Sequence, residues 1–218
     1  MNIKVFVLGR PGSGKSTVAR HLRHFFALHQ YTTRHINDYT ILQRMFREDV
    51  DHKRFLPTAN NGFDAIDFTV LDQALHEVEC EAQQWSKRCN LLTLEFARDN
   101  YRHAFRQFTP AFLRNAYVLF MDADLELCLQ RVNQRVACSK NADDHPSFSS
   151  TIFRNYYGQD NRAYITGALH TEFHLTNLVQ LINNTGPLED CMAQVERFAQ
   201  AILERELPSI EHASALVC

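Results

Sequence analysis

Glycine is scarce in this chain of 218 residues, with seven in all. Cysteine is present but unpatterned. Cys80, Cys89, Cys128, Cys138, Cys191 and Cys218 are scattered, with no C-x-x-C pair. That spacing suggests neither a zinc site nor a disulfide framework, and it fits a reducing, cytoplasmic compartment. Charge of one sign is missing too: the formal net charge is −2. No global basic field or basic tail is present to draw a long nucleic acid. Long hydrophobic runs are also absent. The first apolar run is six residues (Ile3 to Leu8), so neither a leader peptide nor a membrane span is expected. Eleven histidines are many, but His170-Thr-Glu-Phe-His174 is not a metalloprotease pattern and reads as solvated surface.

Against that scarcity, three of the glycines (Gly9, Gly12, Gly14) fall within six residues. They belong to Gly9-Arg10-Pro11-Gly12-Ser13-Gly14-Lys15-Ser16, a full match to G-x-x-x-x-G-K-[ST]. The run before it, Ile3 to Leu8, suits a buried strand, and the run after it, Ser16 to His29, has helical apolar spacing. Strand, tight loop and helix make a phosphate cradle. Glycines let backbone N–H groups turn inward, and the new helix points its positive end at the same anion. Lys15 can reach the β- and γ-phosphates, and the Ser16 hydroxyl can bind Mg²⁺. Thr17 completes the segment that would contact the nucleotide.

The rest of the chain alternates strands and helices. Further strands are expected at Thr32–Ile36, Asn90–Glu95, Tyr117–Met121 and Leu178–Ile182. Helices are expected after Asn37-Asp38, from Phe68 to Trp85, at Thr109-Pro110, after Asp122 or Asp124, around Phe153–Tyr157, and after Pro187. Pro57 to Gly62 reads as a turn, 137–150 as a polar loop, and 208–218 as a loose tail. Alternation implies an α/β fold with a parallel sheet and ligands at the carboxyl ends of its strands. Gly9, Asp38, Glu95 and Asp122 all lie there.

At that edge the residues resemble the nucleoside and nucleoside-monophosphate kinase group of phosphate-loop enzymes. The likeness rests on the loop, Asn37-Asp38-Tyr39, Glu95-Phe96-Ala97-Arg98, the pair Arg131/Arg135, and Asn183-Asn184-Thr185-Gly186. It implies a three-layer phosphate-loop kinase fold over residues 1–207. The five-stranded parallel sheet would have the order 2-3-1-4-5, with a substrate-binding helical insert near 38–88 and a lid near 131–150. It also implies ATP and Mg²⁺ as cofactors, a small nucleoside or nucleotide as acceptor, and Asn184 and Thr185 near the adenine edge. Glu-Phe-Ala-Arg departs from the motifs usual at that position.

Several residues carry two readings at this stage. Glu95 can hold Mg²⁺ through water, meet a substrate hydroxyl, or cap a helix. Arg98 can clamp a substrate phosphate or pair with Glu95. Asp38 is either a base for a hydroxyl acceptor or a plain helix cap. Arg34, Arg44 and Arg47 can supply charge for a phosphate acceptor or stay solvated. Arg131 and Arg135, spaced i, i+4, can both project from one helix face into the transfer site. Asp122 and Asp124 read as caps, and Tyr156 and Tyr157 as packing residues. The catalytic set expected is Lys15, Asp38, Glu95, Arg98, Arg131 and Arg135. The function expected is transfer of the γ-phosphoryl group of ATP. A kinase of another hydroxyl (a polynucleotide 5′ end, a sugar, a small acid) and a regulatory ATPase are the alternatives.

Overall fold

A computed structural model describes residues 2–58, 62–137 and 149–214. Five parallel strands form the central sheet: β1 (Ile3–Gly9), β2 (Thr33–Asn37), β5 (Leu91–Phe96), β6 (Ala116–Asp122) and β7 (Val179–Asn183). Their order across the sheet is β2-β5-β1-β6-β7. Counting these five alone, that is 2-3-1-4-5, as the resemblance implies. A second, two-stranded antiparallel sheet pairs β3 (Phe55–Thr58) with β4 (Gly62–Ala65).

The three layers follow from the alternation of β1. Phe6 and Leu8 point into one core with Ile36, Leu94, Phe96 and Phe120. Val5 and Val7 point into the other with Val18, Phe26, Leu119, Met121 and Phe198. β1 is central and buried on both sides, so its run is apolar except for Lys4. Helices α1 (Lys15–Leu28) and α9 (Leu188–Ser214) cover the second face and pack on each other. Helices α2 (Asp38–Glu48), α3 (Thr69–Trp85), α4 (Tyr101–Phe105) and α5 (Pro110–Leu113) cover the first. Phe6 sits among the rings of Phe96, Phe105, Phe108 and Phe112 at 5.1–6.1 Å between centroids. Truncating such a side chain costs about 3–5 kcal/mol.

Helix α6 (Leu125–Ala137) packs against α7 (Ser150–Tyr157), with Cys128, Leu129, Val132 and Phe153 between them. The Ser149 hydroxyl caps α7. A π-helical turn, Tyr164–Ala168, and α8 (Leu169–Glu172) lead into β7.

Two expectations change. The stretch Pro57–Gly62 contributes to two strands; Pro57 is tolerated because β3 has a neighbour on one side alone. Residues 59–61 lie outside the described residues, as does most of the expected lid, 138–148. The final helix continues to Ser214, so the tail placed at 208–218 is helical over most of its length.

Candidate active site

The phosphate loop joins β1 to α1. Gly12 and Gly14 are needed for two reasons each. Both have positive φ, +82° and +98°. A Cβ on Gly12 would lie 2.3 Å from the Cys128 carbonyl oxygen, and one on Gly14 would lie 2.4 Å from Asn184 Nδ2. At Gly12 backbone therefore approaches backbone, which keys α6 to the loop, and at Gly14 the Asn184 side chain takes the space. Asn184 donates from Nδ2 to the Ser13 carbonyl at 2.8 Å, so it buttresses the loop from β7. Arg10 faces away from the phosphate position. Its guanidinium donates to the carbonyls of Tyr157 (2.8 Å), Ala123 (3.1 Å) and Gln159 (3.0 Å). Thr185 is exposed and closes a turn on Asn183 Oδ1.

Lys15 is buried and donates from Nζ to the Arg10 carbonyl at 3.0 Å. Burial lowers its pKa, and the charges of Glu95 and Asp38 oppose that in part. A polyphosphate in the loop would oppose it further, by the same Coulomb attraction.

Ser16 Oγ donates to Glu95 Oε1 at 2.8 Å. Glu95 Oε2 is buried, accepts no hydrogen bond among the described residues, and lies 3.4 Å from His35 Nε2. Burial works to raise the Glu95 pKa. The His35 contact and the Lys15 charge outweigh it, and the group ends below the usual carboxylate range. One hydroxyl and one ionised carboxylate beside a phosphate cradle are hard oxygen donors of the kind Mg²⁺ takes alongside water and phosphate oxygens. Among the described residues no cluster of three or more His, Cys, Asp or Glu could hold a metal by itself.

Across the cleft, Asn37 caps α2 by accepting from the Tyr39 N–H at 3.0 Å. Asp38 is therefore not the cap. It stands in the first turn, buried, with Oδ2 at 2.5 Å from Arg98 Nη1. Arg98 also donates to the carbonyls of Ala97 (2.7 Å) and Leu71 (2.8 Å). Of the two readings of Arg98, the pair with Glu95 is not formed; its carboxylate partner is Asp38. Burial raises the Asp38 pKa, and the Arg98 charge and hydrogen bond pull the other way.

Lys15, Ser16, Asp38, Glu95, Arg98 and Arg135 line one cavity of about 580 Å³. A neighbouring cavity of about 310 Å³ lies against Gly12, Gly14, Thr17, Arg131, Arg135 and Asn184. Arg131 Nη1 and Arg135 Nε are buried without a hydrogen-bond partner among the described residues. Both arginines thus carry N–H groups that an anion above the loop would satisfy.

Arg34 and Arg44 are not brought to this cavity. Arg34 lies over the Trp85 ring at 4.4 Å and pairs with Glu81 at 3.1 Å. Arg44 pairs with Glu77 and Glu48 on the exposed side of α2. Asp122 ends β6, buried, with Oδ2 at 3.3 Å from Arg162. Asp124, not Asp122, opens α6, its carbonyl accepting from Cys128 N–H at 2.9 Å.

Residues 5–148, more than half of the chain, match the family described as AAA domain. The chain belongs to the AAA domain family. This AAA domain is also similar in structure to shikimate kinase from Acinetobacter baumannii in complex with shikimate. The TM-score is 0.52 at 15% identity, over 95% of this chain and 96% of that one. It is similar to Chaetomium thermophilum Kti12 in complex with ADP-AlF3, with TM-score 0.55 at 16% identity, over 92% and 97%. These likenesses show the phosphate-loop kinase fold. No curated protein matches this AAA domain. No helix among its described residues is long and apolar enough to cross a membrane.

Three functional features of this AAA domain escape sequence reasoning. The Tyr101 hydroxyl accepts from Gly9 N–H at 2.8 Å and donates to the Gly9 carbonyl at 3.1 Å, which fixes the loop's first residue. Asn161 in turn accepts from the Tyr101 N–H at 3.2 Å. Tyr39, Phe63, Phe68, Tyr156 and Tyr157 line the large cavity. Tyr156 and Tyr157 are therefore cavity walls as well as packing residues. The Tyr101–Gly9 contact spans 92 residues in sequence, and no local signal announces it.

Proposed function

We propose that this protein is an ATP- and Mg²⁺-dependent phosphotransferase that moves the γ-phosphoryl group to a small acceptor of the nucleoside or nucleoside-monophosphate class. One observation carries the reading. The Lys15/Ser16/Glu95 corner and the Asp38–Arg98 pair face the same cavity. A donor loop alone would suit any nucleotide switch; a carboxylate and a guanidinium opposite it suit a second substrate.

Phosphoryl transfer is mainly positioning and neutralisation of charge. The loop N–H groups and Lys15 hold the β- and γ-phosphates. Ser16 and, through water, Glu95 would hold Mg²⁺, which would supply neutralisation of part of the phosphates' charge. Asp38 bonds Arg98 through Oδ2, so Oδ1 is the oxygen that would accept a hydrogen bond from the attacking hydroxyl. Arg98 fixes that carboxylate. Arg131 and Arg135 approach from α6 to balance charge on the moving group and help exclude water. Cys80, Cys89, Cys128 and Cys191 are free thiols, which supports a reducing, cytoplasmic setting.

The test is ADP release with ATP, Mg²⁺ and a panel of nucleosides, nucleotides, sugars and small acids. Stimulation by at least one acceptor, abolished by Lys15→Ala, is expected. Steady ADP release that no acceptor raises would favour the regulatory ATPase and refute the transferase. Stimulation confined to sugars or small acids would favour a kinase of another hydroxyl.

A further inference from the structure

We infer that the acceptor is an uncharged alcohol with a planar ring, of the nucleoside kind, and that a phosphate- or carboxylate-bearing acceptor binds more weakly. This deepens the transferase reading and rests on it.

Charge in the large cavity is the first ground. Among the described residues lining it, the cations are Lys15, Arg98 and Arg135. Lys15 belongs to the donor loop, and Arg135 also lines the neighbouring cavity above that loop. Arg98 is buried and already balanced by Asp38 at 2.5 Å. Arg34 and Arg44 are engaged elsewhere by Glu81 and Glu77. The remaining charge at the acceptor end is Asp64, a half-buried carboxylate on β4. Among the described residues, an acceptor phosphate or carboxylate at that end would meet Asp38 and Asp64, while the Arg98 charge is balanced by Asp38, and Arg135, whose Nε has no partner, stands above the donor loop. Desolvating an anion in front of carboxylates weakens its binding.

The walls are the second ground. Tyr39 and Phe63 lie parallel, 5.6 Å apart at 12°, with Phe46 stacked behind Phe63 at 5.0 Å. Phe68 and Tyr156 form a further pair, 5.7 Å apart. Seven large hydrophobic side chains stay exposed among the described residues, and four of them (Leu56, Ile66, Phe68 and Ile152) line this one cavity. Phe68 is 60% exposed. Such concentration of apolar surface marks a binding site, and ring faces favour a planar guest. A polyol or sugar acid would leave these walls unused.

In the transfer, the acceptor hydroxyl oxygen forms a bond to the γ-phosphorus as the bond to the β–γ bridging oxygen breaks. ADP leaves with that electron pair, and the hydroxyl proton passes to Asp38 or to water.

The test is calorimetric binding to the Mg·ADP-loaded full chain, paired with ADP release during turnover. Probes are adenosine, uridine and thymidine, each against its own 5′-monophosphate, with gluconate and shikimate alongside. At least one neutral nucleoside should bind tenfold or more tighter than its monophosphate, and more tightly than either acid. Asp64→Lys, which supplies a cation at the acceptor end, should tighten the monophosphate at least tenfold. A monophosphate or acid that binds as well as every neutral compound overturns the inference, and so does failure of all three nucleosides to bind. Nucleosides that bind without raising ADP release would support the ligand class and count against the transferase alone.

Discussion

Replacing Asp38 with asparagine separates what the Asp38–Arg98 pair does for the fold from what it does for transfer. Both side chains are nearly sealed from solvent, at 7% and 6% exposure. Removing one partner of a buried ion pair typically costs about 3–5 kcal/mol, because the other charge is left uncompensated. Asparagine keeps an oxygen for Arg98 Nη1, and Arg98 keeps the carbonyls of Ala97 and Leu71. The cost should therefore fall below that range, at about 2–3 kcal/mol. For a chain of this size that is a Tm lower by roughly 5–10 °C. Transfer should fall further, by about 10²-fold or more, because the oxygen that orients the hydroxyl no longer carries charge. The pH profile gives a second readout. Burial raises the Asp38 pKa, so activity that needs the ionised form should be lost on acidification at a pH above the ordinary carboxylate range. The asparagine variant should lack that acid limb. In the double variant Asp38→Leu/Arg98→Met, with no unpaired charge, stability should return toward the parent while transfer stays lost. Thermal unfolding and acceptor-dependent ADP release measure both. An asparagine variant keeping more than about a fifth of the activity, with its acid limb intact, would refute a role for Asp38 in the reaction.

Three further outcomes follow from other contacts. Gly12→Ala places a Cβ 2.3 Å from the Cys128 carbonyl at φ +82°, so ATP affinity, read by calorimetry, should drop at least tenfold as α6 and the loop are forced apart. Glu95→Gln keeps a partner for the Ser16 hydroxyl but removes the charge, so the Mg²⁺ concentration for half-maximal turnover should rise while folding is retained. Lys4 is buried over the Phe112 ring with Nζ at 2.6 Å from the Phe112 carbonyl, and burial lowers its pKa to about 8. The unfolded chain, with its ordinary lysine near 10.5, then binds more protons than the folded one between those values, so stability should rise with pH across that window. Lys4→Met should flatten the rise in urea midpoints; an unchanged slope would contradict it.

The parts legible in the sequence are those written locally. β1, the loop and α1 are contiguous, and the three central strands β1, β5 and β6 are largely apolar, fully buried runs, whereas the edge strands β2 and β7 are more polar. Strand order came with the family resemblance. What escaped is side-chain direction and distant pairing. Asp38 and Asn37 are equally good caps by type, and the backbone of α2 decides for Asn37. Arg98 has Glu95 three residues away and Asp38 sixty away, and it takes the distant one, while Glu95 is engaged by Ser16 and lies against His35. Arg34 and Arg44 sit close to Asp38 in sequence, but strand alternation and helix rotation send them to Trp85 and Glu77. The β3–β4 hairpin was hidden because Pro57 and Gly62 are turn formers that here lie inside short edge strands.

Arg10 occupies a position that the phosphate-loop motif leaves open to any residue. Here that freedom is gone. Its guanidinium is bound to carbonyls at and just after the end of α7 and just before α6, so the curvature of the donor loop is set partly by chain 113 to 149 residues downstream. The eight-residue loop is consequently not a portable cassette. Grafted into another kinase scaffold it would lack the carbonyls that receive Arg10. A foreign loop grafted into this chain would leave those same carbonyls without a donor. Exchange experiments between phosphate-loop proteins would have to move Ala123 and residues 157–159 together with the loop for either half to keep its shape.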